Sequence, residues 1–474
     1  MMDPSTLPIS VARSDLLRLF SWHQLDAPVQ EPRCEFVVAG RYTISTTAPG
    51  YLTTAPGAGV GVALYDKSAG VGGVGHFLLA EPTAGVGVRR SEYYVCAALP
   101  DFITALLAAG ARQERLVAAV AGGSCLIEEL SDPNAFPLGT QVVDATIAIL
   151  QQQQIPVKTI EVGGLRPLSL LLDTTHWKAS IQLIGAAPAQ PSVADFVKPS
   201  EAEIEQAIDA VKPIPQIALN IIRLLGNEKS SSFADLAEEI KRDQVIAAKI
   251  LRFSNSAFFS QTLPVESIER AIVLLGEKNL FEVAVSTATE MFYSGREGGY
   301  ALMRGGLYRH ALAVAHAAKE IALFTGWADA GLAYTAGLLH DIGKVVLDRY
   351  VADALPFFYR QSNDFSDISE LERERFGIDH MQAGQQLASR WQLPASLSAA
   401  ISSHHCPEKS AEKHLMLAHI IYLADLLASV YLSGVDLEQV TAANLEARLA
   451  RIGLRPNQLP LIVANIPWKN LLYL

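Results

Sequence analysis

The sequence predicts two domains of different kinds, a mixed α/β layered domain followed by an all-helical one. Three observations predict this. First, 474 residues are too many for one compact core, and half of them are apolar, enough to fill at least two interiors. Second, residues 36–180 alternate short β-rich runs with glycine-rich turns and a few helices. Third, beyond AAPAQPSVADFVKPS (186–200), a stretch with three prolines and small residues, the apolar spacing becomes helical and stays so to about 432.

Taken in order, GVGVALYD (59–66) and VGHFLLA (74–80) read as strands joined by a turn containing KSAGVGG. DFITALLAAGA (101–111) repeats apolar residues at helical spacing, and RLVAAVAGG (115–123) is a strand ending at glycines. VVDATIAILQQQQI is a helix; VKTIEVGG and LSLLLD (168–173) are strands. Helices then follow one another: EAEIEQAIDAV, PQIALNIIRLLGN, FADLAEEIKRD, VIAAKILRFSNS and ESIERAIVLLGEKNLFEVAVSTAT. EQVTAANLEARLARIG is one more amphipathic helix near the end. The expected division is an extension (1–35), the α/β domain (36–184), a linker (185–200), the helical domain (201–432) and a C-terminal helical extension (433–474).

With 38 basic against 49 acidic residues the net charge is −11, which argues against a broad nucleic-acid surface. A local basic pocket for a phosphate-containing small ligand is compatible with it. Cys34, Cys96, Cys125 and Cys406 lie far apart with no CxxC spacing, as in reduced, cytoplasmic proteins. MMDPSTLPISVARSDLLRLF lacks the apolar core of a secretory signal, and no apolar run reaches about 18 residues without a charge. A cytoplasmic protein without a membrane span is expected.

The front domain resembles the CheD family of chemotaxis receptor deamidases. The resemblance rests on TTAPGAGVGVALYD (53–66), GGVGHFLL (72–79), AAGARQERL (108–116), AAVAGGSCL (118–126) and IPVKTIEVGGLRPLSLLLD (155–173). It implies a cysteine nucleophile activated by histidine and assisted by threonine, converting receptor glutamines to glutamates. The histidine carries over onto His76 and the threonine onto Thr53, but the cysteine's position falls on Gly59. Glycine has no side chain to attack an amide carbon. Cys96 and Cys125 are the remaining thiols of the domain, and neither stands in a stretch that suggests a relocated nucleophile. A deamidase fold without deamidase activity is expected, with a surface still able to bind a chemoreceptor helix or another signalling protein.

Eight of the eleven histidines lie between 310 and 419. His310 and His316 are six residues apart on one helix, about 600° of rotation, so only one can face a given site. His340 and Asp341, in HDIGK, are about 100° apart and can lean toward one ion. Asp425 in IIYLADLLASVY is the most telling residue, because a lone carboxylate in an apolar helix is costly unless paired or metal-bound.

These pieces resemble the HD superfamily of metal-dependent phosphohydrolases, and residues 201–405 resemble its HDOD variant from bacterial signalling proteins. The resemblance is carried by IPQIALNIIRLLGN, DQVIAAKILRFSNSAFF, ESIERAIVLLGEKNL, LYRHALAVA, GLLHDIGKVVL, FGIDHMQAG and ISSHH. HDOD domains usually lack part of the metal set, whereas this chain retains a pattern like that of the cyclic-dinucleotide phosphodiesterase branch, without its GYP signature. The resemblance implies one ion on His310, His340, Asp341 and Asp425, and a second sharing Asp341 with His380, His404 and His405. Lys344 is the implied phosphate contact. Imidazoles with carboxylates suit one or two divalent ions of Fe, Mn, Ni or Zn. His316, His414 and His419 are expected to pack or lie at the surface. The expected function is a noncatalytic signal-transduction or chemotaxis-related regulator. The alternative is a metal-dependent phosphohydrolase, with a cyclic dinucleotide as substrate.

Overall fold

The computed structural model describes residues 33–46, 50–82, 90–124, 138–163, 168–183, 198–211, 219, 240, 244–255, 265, 267–293, 300, 306–354, 368–432 and 442–468. Cys125, the extension before residue 33, most of the linker and, apart from residues 219 and 240, the stretches 215–227 and 233–243 expected to be helices lie outside the described residues.

The front domain has three layers. One sheet holds β1 (Arg33–Phe36), β3 (Gly50–Thr54), β8 (Leu168–Asp173) and β9 (Lys178–Leu183), in the order β1-β3-β8-β9. The second holds β2 (Arg41–Ser45), β4 (Val60–Asp66), β5 (Val71–Phe77), β6 (Val117–Gly122) and β7 (Val157–Val162), in the order β2-β5-β4-β6-β7. Helices α1 (Val95–Ala108) and α2 (Leu138–Gln152) cover the outer face of this second sheet. The two-residue period of a strand sorts the side chains. Val60, Val62, Leu64, Ala118 and Val120 meet the helices, whereas Ala63, Ala119 and Ala121 meet Leu52, Leu168, Leu170 and Leu172 of the other sheet. Helix α1 begins at Val95, six residues before the sequence-based start, so Cys96 stands in its first turn and is exposed.

The rear domain is helical: α3 (Glu201–Ala210), α4 (Gln244–Ser254), α5 (Ile268–Tyr293), α6 (Gly306–Thr325), α7 (Ala330–Leu339), α8 (Lys344–Ala354), α9 (Ile368–Phe376), α10 (His380–Arg390), α11 (Ala395–Ser403) and α12 (Leu415–Leu432). Helices α13 (Ala442–Arg451) and α14 (Leu459–Asn465) follow. The long helix expected from ESIERAIVLLGEKNL is broken at Gly276, whose φ of 68° and ψ of 172° leave the helical region. Alanines 311, 313, 315, 317 and 318 of α6 are fully buried, and their small side chains let α7 and α12 pack closely on it. Among the described residues one helix, Glu412–Tyr431, is by length and composition able to cross a membrane, but 83% of that window lies inside the fold. It is a mostly buried helix packed against α6.

The domains share a boundary. Ala39, Ala58, Leu78, Leu79, Tyr93 and Tyr94 of the front domain belong to the same apolar core as the rear helices. The Ala58 amide donates to the Val430 carbonyl near the end of α12 (3.0 Å), and the Arg90 guanidinium donates to the Ile466 carbonyl after α14.

Candidate metal centre

HDIGK is a sharp corner between two helices. Asp329 caps the start of α7 by accepting the Leu332 amide (2.8 Å), and α7 runs to Leu339. His340 follows at its C-cap, and the Lys344 amide donates back to the Asp341 carbonyl (2.9 Å) as α8 begins. Gly343 is required by the neighbouring helix rather than by its own backbone angles. A Cβ there would stand 1.8 Å from the His380 carbonyl oxygen and 2.6 Å from the Gly384 amide nitrogen. This close approach lays the start of α10, and so His380, against the corner that holds His340 and Asp341.

Two groups of donors meet at Asp341. On one side, His310 Nε2 of α6 lies 2.8 Å from Asp425 Oδ1 of α12 and 3.6 Å from Asp341 Oδ2. His340 Nε2 lies 3.3 Å from Asp341 Oδ2 and 3.6 Å from Asp425 Oδ1. On the other side, Asp341 Oδ1 is 3.6 Å from His380 Nε2 and 3.5 Å from His404 Nε2. His380 Nε2 is 3.1 Å from the Nε2 atoms of both His404 and His405. Three sets, His310/His340/Asp425, His340/Asp341/His404 and His380/His404/His405, each have their donor atoms within 4.8 Å of one another. Asp341 thus turns one oxygen to each group.

The outer ring nitrogens fix the direction of the inner ones. His340 Nδ1 donates to the Gly337 carbonyl (2.7 Å) and His404 Nδ1 to the Ile401 carbonyl (2.9 Å). A carbonyl can only accept, so each neutral ring carries its proton on Nδ1 and aims an Nε2 lone pair inward. His380 Nδ1 meets the Glu372 carboxylate at 2.6 Å, and Tyr300 donates to the other Glu372 oxygen at 2.5 Å. Glu372 and Tyr300 did not stand out in the sequence. Glu372 sits in the charged run ELERERF, between Glu370 and Glu374, and only the packing of α9 separates the buried acid from the solvated ones.

Burial opposes charge throughout the cluster, and the neighbours decide the outcome. Burial pulls the His340 pKa down, but the Asp341 and Asp425 carboxylates outweigh it and hold that pKa up at about 10. Burial pushes Asp341 and Asp425 up, yet the surrounding imidazoles, with Lys344 beside Asp341, hold both well below the usual carboxylate range. His404 goes the other way, to about 3, because burial and the neighbouring His405 both disfavour its charge. Glu372 is raised by burial to about 7, against the Tyr300 hydrogen bond. The buried facing atoms His310 Nε2, His340 Nε2, both Asp341 carboxylate oxygens and Asp425 Oδ1 make no hydrogen bond of acceptable geometry. With its pKa held at about 10, the His340 ring carries a second proton on Nε2 when no cation is present, and a bound cation would displace it. The Nε2 atoms converging with buried carboxylates would then be a donor set that fits a divalent transition metal. Lys344 Nζ lies 2.8 Å from Asp341 Oδ2 and 5.5 Å from the Tyr300 ring centre, so a positive charge already sits beside the shared carboxylate.

The other rear-domain histidines stand apart from these groups. His316 packs edge-on to Tyr334 with ring centres 5.2 Å apart, and His414 lies in the single turn before α12. His419 is buried on α12, six residues before Asp425.

In the front domain His76 is buried on β5. Its hydroxyl partner is Thr54 rather than Thr53: Thr54 Oγ1 lies 3.0 Å from His76 Nδ1, whereas Thr53 Oγ1 donates to the Leu170 carbonyl. The alternation of β3 turns adjacent residues to opposite faces, and motif counting alone could not tell which threonine faced the histidine. The Thr54 hydroxyl gives its proton to the Val37 carbonyl (2.7 Å), so His76 carries a proton on Nδ1 and a lone pair on Nε2. That Nε2 lies 3.2 Å from where a Cβ on Gly59 would be. The same Cβ would stand 2.5 Å from the Phe77 carbonyl oxygen, so this arrangement leaves no room for a side chain at position 59. Cys96 offers no substitute thiolate, since burial and Glu81 both raise its pKa.

Comparison with known proteins matches each half. Residues 78–183 match the family described as CheD chemotactic sensory transduction, and residues 211–407 match the HDOD domain family. The chain is 34% identical over 136 residues to "Probable chemoreceptor glutamine deamidase CheD 1" of Anaeromyxobacter dehalogenans, covering 29% of this chain and 76% of that protein. It is 30% identical over 167 residues to the protein of the same name from Ruegeria, covering 35% and 81%. An HDOD domain protein of Geobacter sulfurreducens, known as a crystal structure, shares 25% identity with a TM-score of 0.46, covering 57% of this chain and 96% of that one.

Proposed function

The chain belongs to the CheD family through its front domain and carries an HDOD domain behind it, and from that premise we propose that its chemistry resides in the rear. In this proposal the HDOD domain is a two-ion phosphohydrolase within a chemotaxis-type signalling protein. The observation that carries it is Asp341, whose two oxygens face different histidine groups, as a carboxylate shared by two cations must. His310, His340 and Asp425 would complete the first ion's ligands, and His380, His404 and His405 the second's. Divalent ions, if held by these residues, would supply positive charge to a phosphoryl oxygen and would lower the pKa of an attacking water.

The chain's own residues frame the substrate. Lys344, now on Asp341, is the cation available to a phosphate oxygen. Glu372 fixes the His380 ring through Nδ1 and is itself held by Tyr300. Water adds to phosphorus as the ester P–O bond breaks, giving a phosphomonoester and an alcohol. A cyclic dinucleotide is the substrate class proposed, because the ligand pattern resembles that of the branch which cleaves such diesters, although the GYP signature of that branch is missing. The front domain contributes recognition, with a chemoreceptor-type helix or another signalling protein as its partner, and the cytoplasm is the proposed compartment.

A noncatalytic reading has one observation in its favour, the depth of the centre: His340, Asp341, His380 and His404 are at most 1% exposed. Full-length protein loaded with Mn2+ should release p-nitrophenol from bis(p-nitrophenyl) phosphate and linearise a cyclic dinucleotide. Asp341→Ala should lower both rates at least about 100-fold. Protein that holds its ions but turns over neither substrate with Mn, Fe or Ni would establish the noncatalytic role.

A further inference from the structure

We propose that the former reactive face of the front domain is an internal dock for α12, and that ion binding at the metal centre tightens it. The last four carbonyls of a helix have no partner within the helix and must find one elsewhere. Val430 is in that last turn of α12, and its carbonyl accepts the Ala58 amide. Ala58 immediately precedes Gly59, where a nucleophile would have stood. Around this bond the contact is apolar and closed: Ala58 is 2% exposed, and Leu78, Leu79 and Tyr93 at most 3%. A second clasp lies nearby, where Arg90, held at φ 62°, donates to the Ile466 carbonyl just past the end of α14. One domain thus completes the ends of two helices of the other, and no receptor helix reaches the Ala58–Gly59 loop in this arrangement.

The link to the metal centre is covalent and short. Asp425 and Val430 lie on the same helix, five residues and about 7.5 Å of rise apart. An ion that fixes Asp425 against His310 and His340 fixes the position and rotation of α12, and therefore where the Val430 carbonyl points. Linkage is reciprocal, so a docked front domain also favours ion binding. Loss of a side chain at position 59 becomes intelligible: a loop that no longer holds a nucleophile can close onto Phe77 and present its backbone to a neighbouring helix.

This inference rests on the metal centre proposed above, and the two can fail separately. Wild-type full-length protein, stripped with chelator, is compared with and without saturating Mn2+ by hydrogen–deuterium exchange of the peptide containing Ala58. Calorimetry reports Mn2+ binding independently. The Ala58 amide is expected to be protected in the stripped protein and to exchange at least tenfold more slowly with Mn2+, with no such slowing in Asp425→Ala. An Ala58 amide exchanging at the rate of an open loop would overturn the dock. Bound Mn2+ with exchange unchanged within twofold would overturn the linkage and leave the metal centre standing. Calorimetry showing no Mn2+ binding would remove the metal centre, and the linkage with it.

Discussion

His76 is a buried histidine whose Nε2 faces the glycine at position 59. Its ring is buried, its Nδ1 proton goes to Thr54, and its Nε2 has no hydrogen-bond partner. Burial disfavours the imidazolium and lowers the pKa from 6.5 to about 4. A histidine that is harder to protonate when folded contributes stability above its unfolded pKa, and this is lost as pH falls from about 6.5 toward about 4. The difference between the two pKa values corresponds to about 3 kcal/mol at most. Urea melts of the wild type and His76→Gln at pH 7.5, 6, 5 and 4.5 isolate that share. The wild type should lose more stability than the variant over this interval, and parallel losses would mean that the ring is not the buried neutral group described.

At the scale of elements, the corner HDIGK works because three helices can approach it closely. Gly343 permits one of those approaches, since any Cβ there would overlap the His380 carbonyl oxygen. Gly343→Ala should therefore destabilise by about 3 kcal/mol or more and push α10 outward, taking His380 away from Asp341. A thermal melt beside calorimetric Mn2+ binding checks both effects, and an unchanged melting temperature would contradict the packing. The contrast between Gly343 and Glu372 explains how much of the centre was legible. Histidines and aspartates in apolar helices stand out in a sequence because they are costly there, so His340, Asp341 and Asp425 drew attention by pattern, whereas the choice of His310 over His316 and the grouping of the four rested on the resemblance to the HD superfamily. Glu372 stood among other acids, and its burial depends on which face of α9 turns inward. Thr54 was missed for a related reason: two adjacent threonines differ only in the face of β3 they occupy.

Across the whole molecule, the change from period-two strands to helical spacing made the layered front domain and the helical rear domain readable in the chain. The contact between them was not, because Ala58 and Val430 meet through backbone groups that every residue carries. The molecule joins a CheD-type front domain, with glycine at position 59 beside the buried His76, to an HDOD domain whose buried histidines and carboxylates gather as candidate metal ligands. The ion content of the full-length protein, purified without chelator and measured by elemental analysis, tests that account most directly. Two equivalents of divalent transition metal per chain are expected, falling to one in Asp425→Ala and to none in Asp341→Ala, whose carboxylate faces both groups. Metal-free wild-type protein that also fails to take up Mn2+, Fe2+ or Ni2+, or an Asp341→Ala variant that keeps both ions, would contradict it.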